Sequence, residues 1–247
     1  MKKIISTVTC LLILLIITGT INAISCGETI TTDTTLENDL KCPTGHGIII
    51  GADGITIDGA GHTIKGKNGA GIELESRKDV TIKNLKIENF VYGIYLKLSR
   101  DNTIINTTFS NNYFGIMFEL SSNNKVLNNY FNNRNNILHT SSSNKWSTVK
   151  REGENIVGGP YLGGNFWGKP DGTGYSETCD DEDGDWICDE GYYPDNLNVD
   201  NFPLIIYHET LLTKSAQNNL KIIIPLAIAG IIYLVIRRGN KKETIPI

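Results

Sequence analysis

The chain has 247 residues, with 23 Lys and Arg against 27 Asp and Glu for a net charge of −4. That balance leaves no basic footprint for nucleic acid. Once the two apolar ends are set aside, roughly 190 residues remain, enough for one domain with a sizeable core.

The N-terminal stretch "MKKIISTVTCLLILLIITGTINA" places Lys2 and Lys3 before an apolar run from Leu11 to Ile17. This layout predicts a secretory signal peptide over residues 1–23, with the small Ala23 before the cut; the alternative is an uncleaved N-terminal anchor. Cys10 leaves with the leader, so Cys26, Cys42, Cys179 and Cys188 remain. An even number in an exported chain reads as disulfides. Three connectivities are possible, and the local one, Cys26 to Cys42 and Cys179 to Cys188, closes two short loops.

Residues 24–145 read as a ladder. "GIELESRKDVTIKNLKIENFVY" begins at Gly71, "GIYLKLSRDNTIINTTFSNNYF" at Gly93 and "GIMFELSSNNKVLNNYFNNRNN" at Gly115, an interval of 22 residues each time. A copy two residues longer starts at Gly47 and a degraded one near Ile137. Ile72, Ile94 and Ile116 align, as do Leu74, Leu96 and Phe118. The same holds for Ile82, Ile104 and Val126, and for Ile87, Phe109 and Phe131. Apolar residues alternate with polar ones, the period of a half-buried strand. Short β-branched rungs rich in Gly and Asn predict a coil of parallel strands, about 4–5 coils stacked about 4.8 Å apart. Polar columns recur as well: Asn84, Asn106 and Asn128; Asn89, Asn111 and Asn133; Asp79, Asp101 and Asn123. Asn tolerates the left-handed turn conformation, and stacked amides bond from rung to rung.

Residues 146–206 read as a cap region rich in Gly, aromatic and acidic residues. Its segment "CDDEDGDWICDE", Cys179 to Glu190, holds seven carboxylates in twelve positions. Asp181, Asp183, Asp185, the carbonyl of Ile187 and Asp189 have the oxygen spacing of a Ca²⁺ loop. Trp186 stands where an EF-hand has Gly, and Tyr192 where it has a bidentate Glu. The alternative is a solvated acidic loop.

Beyond a juxtamembrane linker over residues 207–219, "IIIPLAIAGIIYLVI" at Ile222–Ile236 precedes "RRGNKK". Leu220 extends the run, and Lys221 snorkels toward the headgroups. Residues 220–236 therefore predict a transmembrane helix, short against the roughly 30 Å of hydrocarbon. Arg237, Arg238, Lys241 and Lys242 put the tail, residues 237–247, on the cytoplasmic side.

The segments "GITIDGAGHTIKG" and "GGPYLGGNFWG" followed by "NVDNFPL", together with the 22-residue rungs, resemble the NosD-like right-handed parallel β-helix domains of archaeal surface proteins. The resemblance covers roughly residues 24–204 and implies an all-β solenoid on the outside of the cell; it says little about activity. The family's namesakes are linked to copper delivery, which Met117, His46, His62, His139 and His208 do not support, because soft Cu(I) prefers thiolate or thioether ligands.

Two functions of different class follow. The first is a non-catalytic, single-pass surface module that binds or scaffolds envelope polysaccharide or surface-layer protein. The second is a carbohydrate-active enzyme of lyase or hydrolase type, which needs two carboxyls at a defined separation. Asp79 and Asp101, stacked on adjacent coils, are its best pair. Glu75 and Glu119 flank Lys97 in a neutralised surface stripe.

Overall fold

The computed structural model describes residues 24–140 and 143–206. The expected signal peptide, linker, transmembrane span and basic tail lie outside these residues. Among the described residues, no helix is long and apolar enough to cross a membrane.

The described chain winds into a parallel β-solenoid with three sheets. The first stacks Glu28–Ile30, Ile48–Ile50, Ala70–Glu75, Tyr92–Lys97, Phe114–Glu119 and Asn135–Thr140. The second runs from Thr34–Thr35 through Thr56–Asp58, Thr81–Lys83 and Thr103–Ile105 to Lys125–Leu127. In the third, Leu40–Lys41, Thr63–Lys65, Lys86–Glu88, Thr108–Ser110 and Tyr130–Asn132 are joined by Phe166–Gly168 from the cap.

The expected apolar columns are the observed registers. Ile48, Ile72, Ile94, Ile116 and Ile137 are successive partners in the first sheet. Ile57, Ile82, Ile104 and Val126 are partners in the second. Ile64, Ile87, Phe109, Phe131 and Trp167 follow one another in the third. Nearly all of these side chains are sealed from solvent. Each rung alone could not bury its inward face, so every column is stabilised only by its neighbours above and below. At the wide end the filler is aromatic: the rings of Phe109 and Phe131 stack at 4.9 Å, and those of Phe131 and Trp167 at 4.8 Å.

Turns follow the polar columns with one departure. Asp79, Asn84, Asn89, Asp101, Asn106, Asn111, Asn123 and Asn128 all adopt left-handed φ between 51° and 64°. Asn133 does not share that turn with Asn89 and Asn111. The rung is shorter there, since Phe114 pairs with Asn135, a spacing of 21. This one-residue loss moves Asn133 into the interior, where its Oδ1 accepts from Asn112 N–H at 3.1 Å. Rung-to-rung bonding of exposed amides occurs in the first column, where Asn106 donates to Asn84 at 3.3 Å.

The stronger polar ladders are buried and lie one residue further along. Asn102 Oδ1 accepts from the N–H of Val80 at 2.9 Å, Asn124 Oδ1 from that of Asn102 at 3.0 Å, and Asn144 Oδ1 from that of Asn124 at 2.9 Å. A second ladder joins Thr107, Asn129 and Asn165, and a third joins Phe90, Asn112, Asn133 and Asn136. In each ladder the side-chain carbonyl takes the backbone N–H of the preceding coil, save that the third ends on Asn136, which takes the N–H of Asn133 three residues before it. The Nδ2 groups of Asn102, Asn112, Asn124 and Asn129 also donate onward to the next amide. The corners, which have no strand partners, thereby satisfy backbone groups that would otherwise be orphaned.

Ile104→Asp should cost on the order of several kcal/mol, because the charge would lie among apolar neighbours without a partner. Ile105, one position out of phase and only half-buried, should tolerate the same change. Urea unfolding of both variants checks the register; equal losses would refute it.

Candidate functional site

The cap begins where the solenoid's last coil would leave its bore open. Trp146 and Trp167, both buried, close it with ring centroids 5.5 Å apart. Their indole N–H groups find two acceptors from the final described segment. Trp146 Nε1 donates to Asn198 Oδ1 at 2.9 Å, and Trp167 Nε1 donates to Asp200 Oδ2 at 2.9 Å. The same acceptors end two of the buried ladders: Asn144 N–H donates to Asn198, and both the N–H and Nδ2 of Asn165 donate to Asp200. The "GGNFWG" and "NVDNFPL" segments are thus two halves of one closure. A Cβ on Gly164 would collide with the Asp200 carboxylate, and one on Gly163 with Phe202.

Asp200 is fully buried among these donors, with Phe202 N–H on Oδ1 at 3.1 Å. Burial pushes its carboxyl up to about 6, against the opposing pull of the bonds from Trp167, Asn165 and Phe202. Sequence reading did not single it out, since an isolated Asp in a turn-like segment carries no periodic signal.

The acidic loop hangs from this closure. Ile187 is buried with Phe166 and Leu204 in a second apolar cluster and forms an antiparallel bridge to Leu204. The Cys179–Cys188 disulfide brackets the loop, and Cys26–Cys42 forms as well. Gly184 supplies a left-handed turn at φ 72°. Among the five expected ligands, the carboxylates of Asp181, Asp183 and Asp189 converge, each offering an oxygen within 4.8 Å of the others. Asp185 turns the other way: its carboxylate takes Lys150 Nζ and the N–H of Ile187. Asp181 accepts the N–H groups of Asp185 and Trp186, both at 3.1 Å. Burial nonetheless holds the Asp181 carboxyl above its ordinary range, and the neighbouring Asp183 adds to the rise. Asp183 and Asp189 line an open cavity of about 620 Å³ together with Tyr175, Asp180, Glu182 and Glu190.

The other carboxylates singled out from the sequence are engaged locally. Asp101 takes Arg100 at 2.7 Å and the amide of Asn123, which lower its pKa with Asn123 the larger influence. Asp79 is an exposed left-handed turn residue. Glu75 pairs with Lys97 at 2.8 Å, and Glu119 accepts the Tyr95 hydroxyl.

Fold and site together define a disulfide-bonded parallel β-solenoid with a sealed end and an acidic loop beside the seal. The family model described as "Periplasmic copper-binding protein (NosD)" matches residues 21–172, and the chain belongs to the NosD family. Neither the curated proteins nor the solved structures yield a match.

The described residues do not fit copper. All four cysteines of the described chain are oxidised. His46, His62 and His139 each stand against a separate carboxylate, Glu73, Asp39 and Asp195 respectively. Met117 sits on the outer face of the first sheet between Tyr95 and Leu138. Among the described residues, the grouping with metal-ligand geometry is the three aspartates, hard oxygen donors suited to Ca²⁺ or Mg²⁺ rather than Cu(I).

The Asp200 shift gives a signed expectation. Its folded pKa, about 6, lies above its ordinary 3.8, so the stability it contributes is fully present below the lower value and is lost as pH rises through the upper one. The stability difference between wild type and Asp200→Asn should therefore fall from about pH 4 to about pH 6.5 and stay flat above. Urea titrations across that range measure it, and a difference that grows with pH would contradict the assignment.

Proposed function

We propose that the protein is a non-catalytic surface module, anchored by residues 220–236 with its solenoid outside the cell. It binds or scaffolds an envelope glycan or a surface-layer protein. The observation that carries this reading is the outer face of the first sheet. Tyr92, Tyr95 and Phe114 stack there, with ring centroids 5.4 Å and 5.8 Å apart, and Met117 and Leu138 continue the apolar column. Partly exposed aromatic rings on a rigid sheet are a contact surface rather than a core, and they suit a sugar face or an apolar protein patch. Glu73, Glu75, Lys97 and Glu119 flank the platform as a polar rim.

The carboxylates weighed for hydrolysis serve as turn residues and ion-pair partners, which supports binding over catalysis. A lowered carboxyl such as Asp101 is a poor proton donor, whereas a glycosidase acid needs its pKa raised.

Calcium is the cation we assign to Asp181, Asp183 and Asp189. The Ile187 backbone is close enough in sequence to supply a carbonyl, and Asp185 would be released from Lys150 to join. The loop lacks a bidentate Glu at its twelfth position, so affinity should lie on the order of 10⁻⁴ to 10⁻³ M. Because the loop is fastened to Leu204, the ion would fasten the segment leading from the closed solenoid toward the membrane.

Millimolar calcium should raise the melting temperature relative to chelator, and a hundredfold excess over the dissociation constant corresponds to about 2.7 kcal/mol. Asp183→Asn should abolish the shift. Identical melting in both buffers would leave a solvated acidic loop. Separately, the chain should fractionate with membranes and be released when truncated before Leu220; release of the intact chain by salt alone would remove the anchor.

A further inference from the structure

The corner between the third and first sheets is lined by cations in a chain whose net charge is −4. A cleft of about 610 Å³ runs past Lys67, Asn89, Asn111, Tyr113 and Arg134. Arg134 also borders a second cavity of about 210 Å³, which continues to Lys169 and Tyr192. Arg134 lines both, so the two clefts neighbour one another along this corner, and together they form a groove. From Lys67 to Arg134 it crosses three rungs, about 14 Å at the usual strand spacing.

The groove is lined by cations and amides, with no carboxylate among its lining residues. Lys67, Arg134 and Lys169 are exposed, and none of them forms an ion pair among the described residues. Acids close to the lining residues in the chain or in contact with them are engaged elsewhere, Asp195 with His139 at 3.0 Å among them. Glu88 pairs with Lys65 at 2.8 Å, Asp171 accepts the Thr173 hydroxyl at 2.7 Å, and Glu177 takes the backbone N–H of Lys169 at 3.0 Å. The side-chain amides of Asn89 and Asn111 also have no hydrogen-bond partner among the described residues, unlike Asn106 and Asn128 in the neighbouring column.

The groove has an aromatic floor. Tyr113 is 46% exposed, Arg134 lies over its ring at 5.0 Å from the centroid, and its ring stands roughly perpendicular to that of Phe114 with centroids 4.8 Å apart. The groove is thereby continuous with the aromatic platform of the first sheet. Several cations separated by neutral amides suit a ligand that carries more than one anion along its length. A half-exposed ring and free amides suit a pyranose with its hydroxyls.

We propose that this groove binds a linear acidic polysaccharide, with uronate carboxylates on Lys67, Arg134 and Lys169 and one pyranose face on Tyr113. The proposal rests on the reading of the protein as a binding module and names its ligand class and its site.

The test uses the full chain in detergent and three probes: polygalacturonate, its neutral methyl ester and oligothymidylate. The wild type should bind polygalacturonate in preference to the other two, and added salt should weaken binding. Arg134→Gln with Lys169→Gln should weaken it by at least about tenfold, a loss of one decade in affinity. Lys86→Gln, on the exposed third sheet outside the groove, should bind as wild type does. Equal binding of the methyl ester or of oligothymidylate, or equal loss in Lys86→Gln, would overturn the proposal, as would no binding of polygalacturonate at all. If the groove fails but a neutral glycan binds in a manner sensitive to Tyr95→Ala, the module reading survives without it.

Discussion

The structure depends on hydrogen bonds that run along the solenoid axis at its corners, between buried asparagine side chains and the backbone of the preceding coil. Strands satisfy their own polar groups through the ladders of the three sheets. Corners have no such ladder, yet their inward residues are as fully buried as those of the strands. A buried backbone N–H without a partner costs about 1–3 kcal/mol. Asn102, Asn112, Asn124, Asn129 and Asn133 remove that cost corner by corner, and their Nδ2 groups return carbonyl partners such as Ile87 and Ile104 to the fold. Each amide can do this only if the next coil holds another acceptor at the same height, so the ladders also fix register.

A ladder must end, and its end explains the cap. The last acceptors are supplied by Asn136, Asn198 and Asp200 rather than by another repeat. Asn198 and Asp200 also receive the two indoles that seal the bore. A short segment far along the chain from the repeats thereby satisfies two corners and the closure at once. The acidic loop and its disulfide hold that segment from the outside through Ile187 and Leu204. A cation at Asp181, Asp183 and Asp189 would act on the end of the solenoid, not on its length. Among the described residues copper has no comparable place, since the sulfur donors it prefers are in disulfides or, as Met117, on an open sheet face.

The apolar columns were legible in the sequence because burial repeats with the 22-residue rung and alternates along each strand. Ile104 against Ile105 is decided by that alternation alone. The exposed turn asparagines were legible too, through their tolerance of positive φ. The buried ladders were not. Asn123 and Asn124, Asn128 and Asn129, or Asn111 and Asn112 form doublets in which the first residue makes the turn and the second enters the core, and composition does not separate the two roles. The doublets themselves, recurring with the rung, are the signal that would have found them. The loss of one residue before Asn135, which moves Asn133 inward, is invisible until strand partners are known. In the acidic loop, spacing pointed to five ligand positions, but tertiary contacts draw Asp185 to Lys150. Asp200 lay beyond sequence reasoning altogether, because its importance comes from Asn165 and Trp167, some thirty-five residues away.

Amide hydrogen exchange on the full chain tests the ladder account most directly. The N–H groups of Val80, Phe90, Asn102, Thr107, Asn112, Asn124 and Asn129 lie at corners outside the strands, and each donates to a buried side chain. The account predicts that they exchange as slowly as the central strand amides of Ile94 and Ile104, only through global unfolding. Exchange at the rate of the exposed turn amides, with the strands still protected, would show that the ladders decorate a solenoid held by its sheets alone.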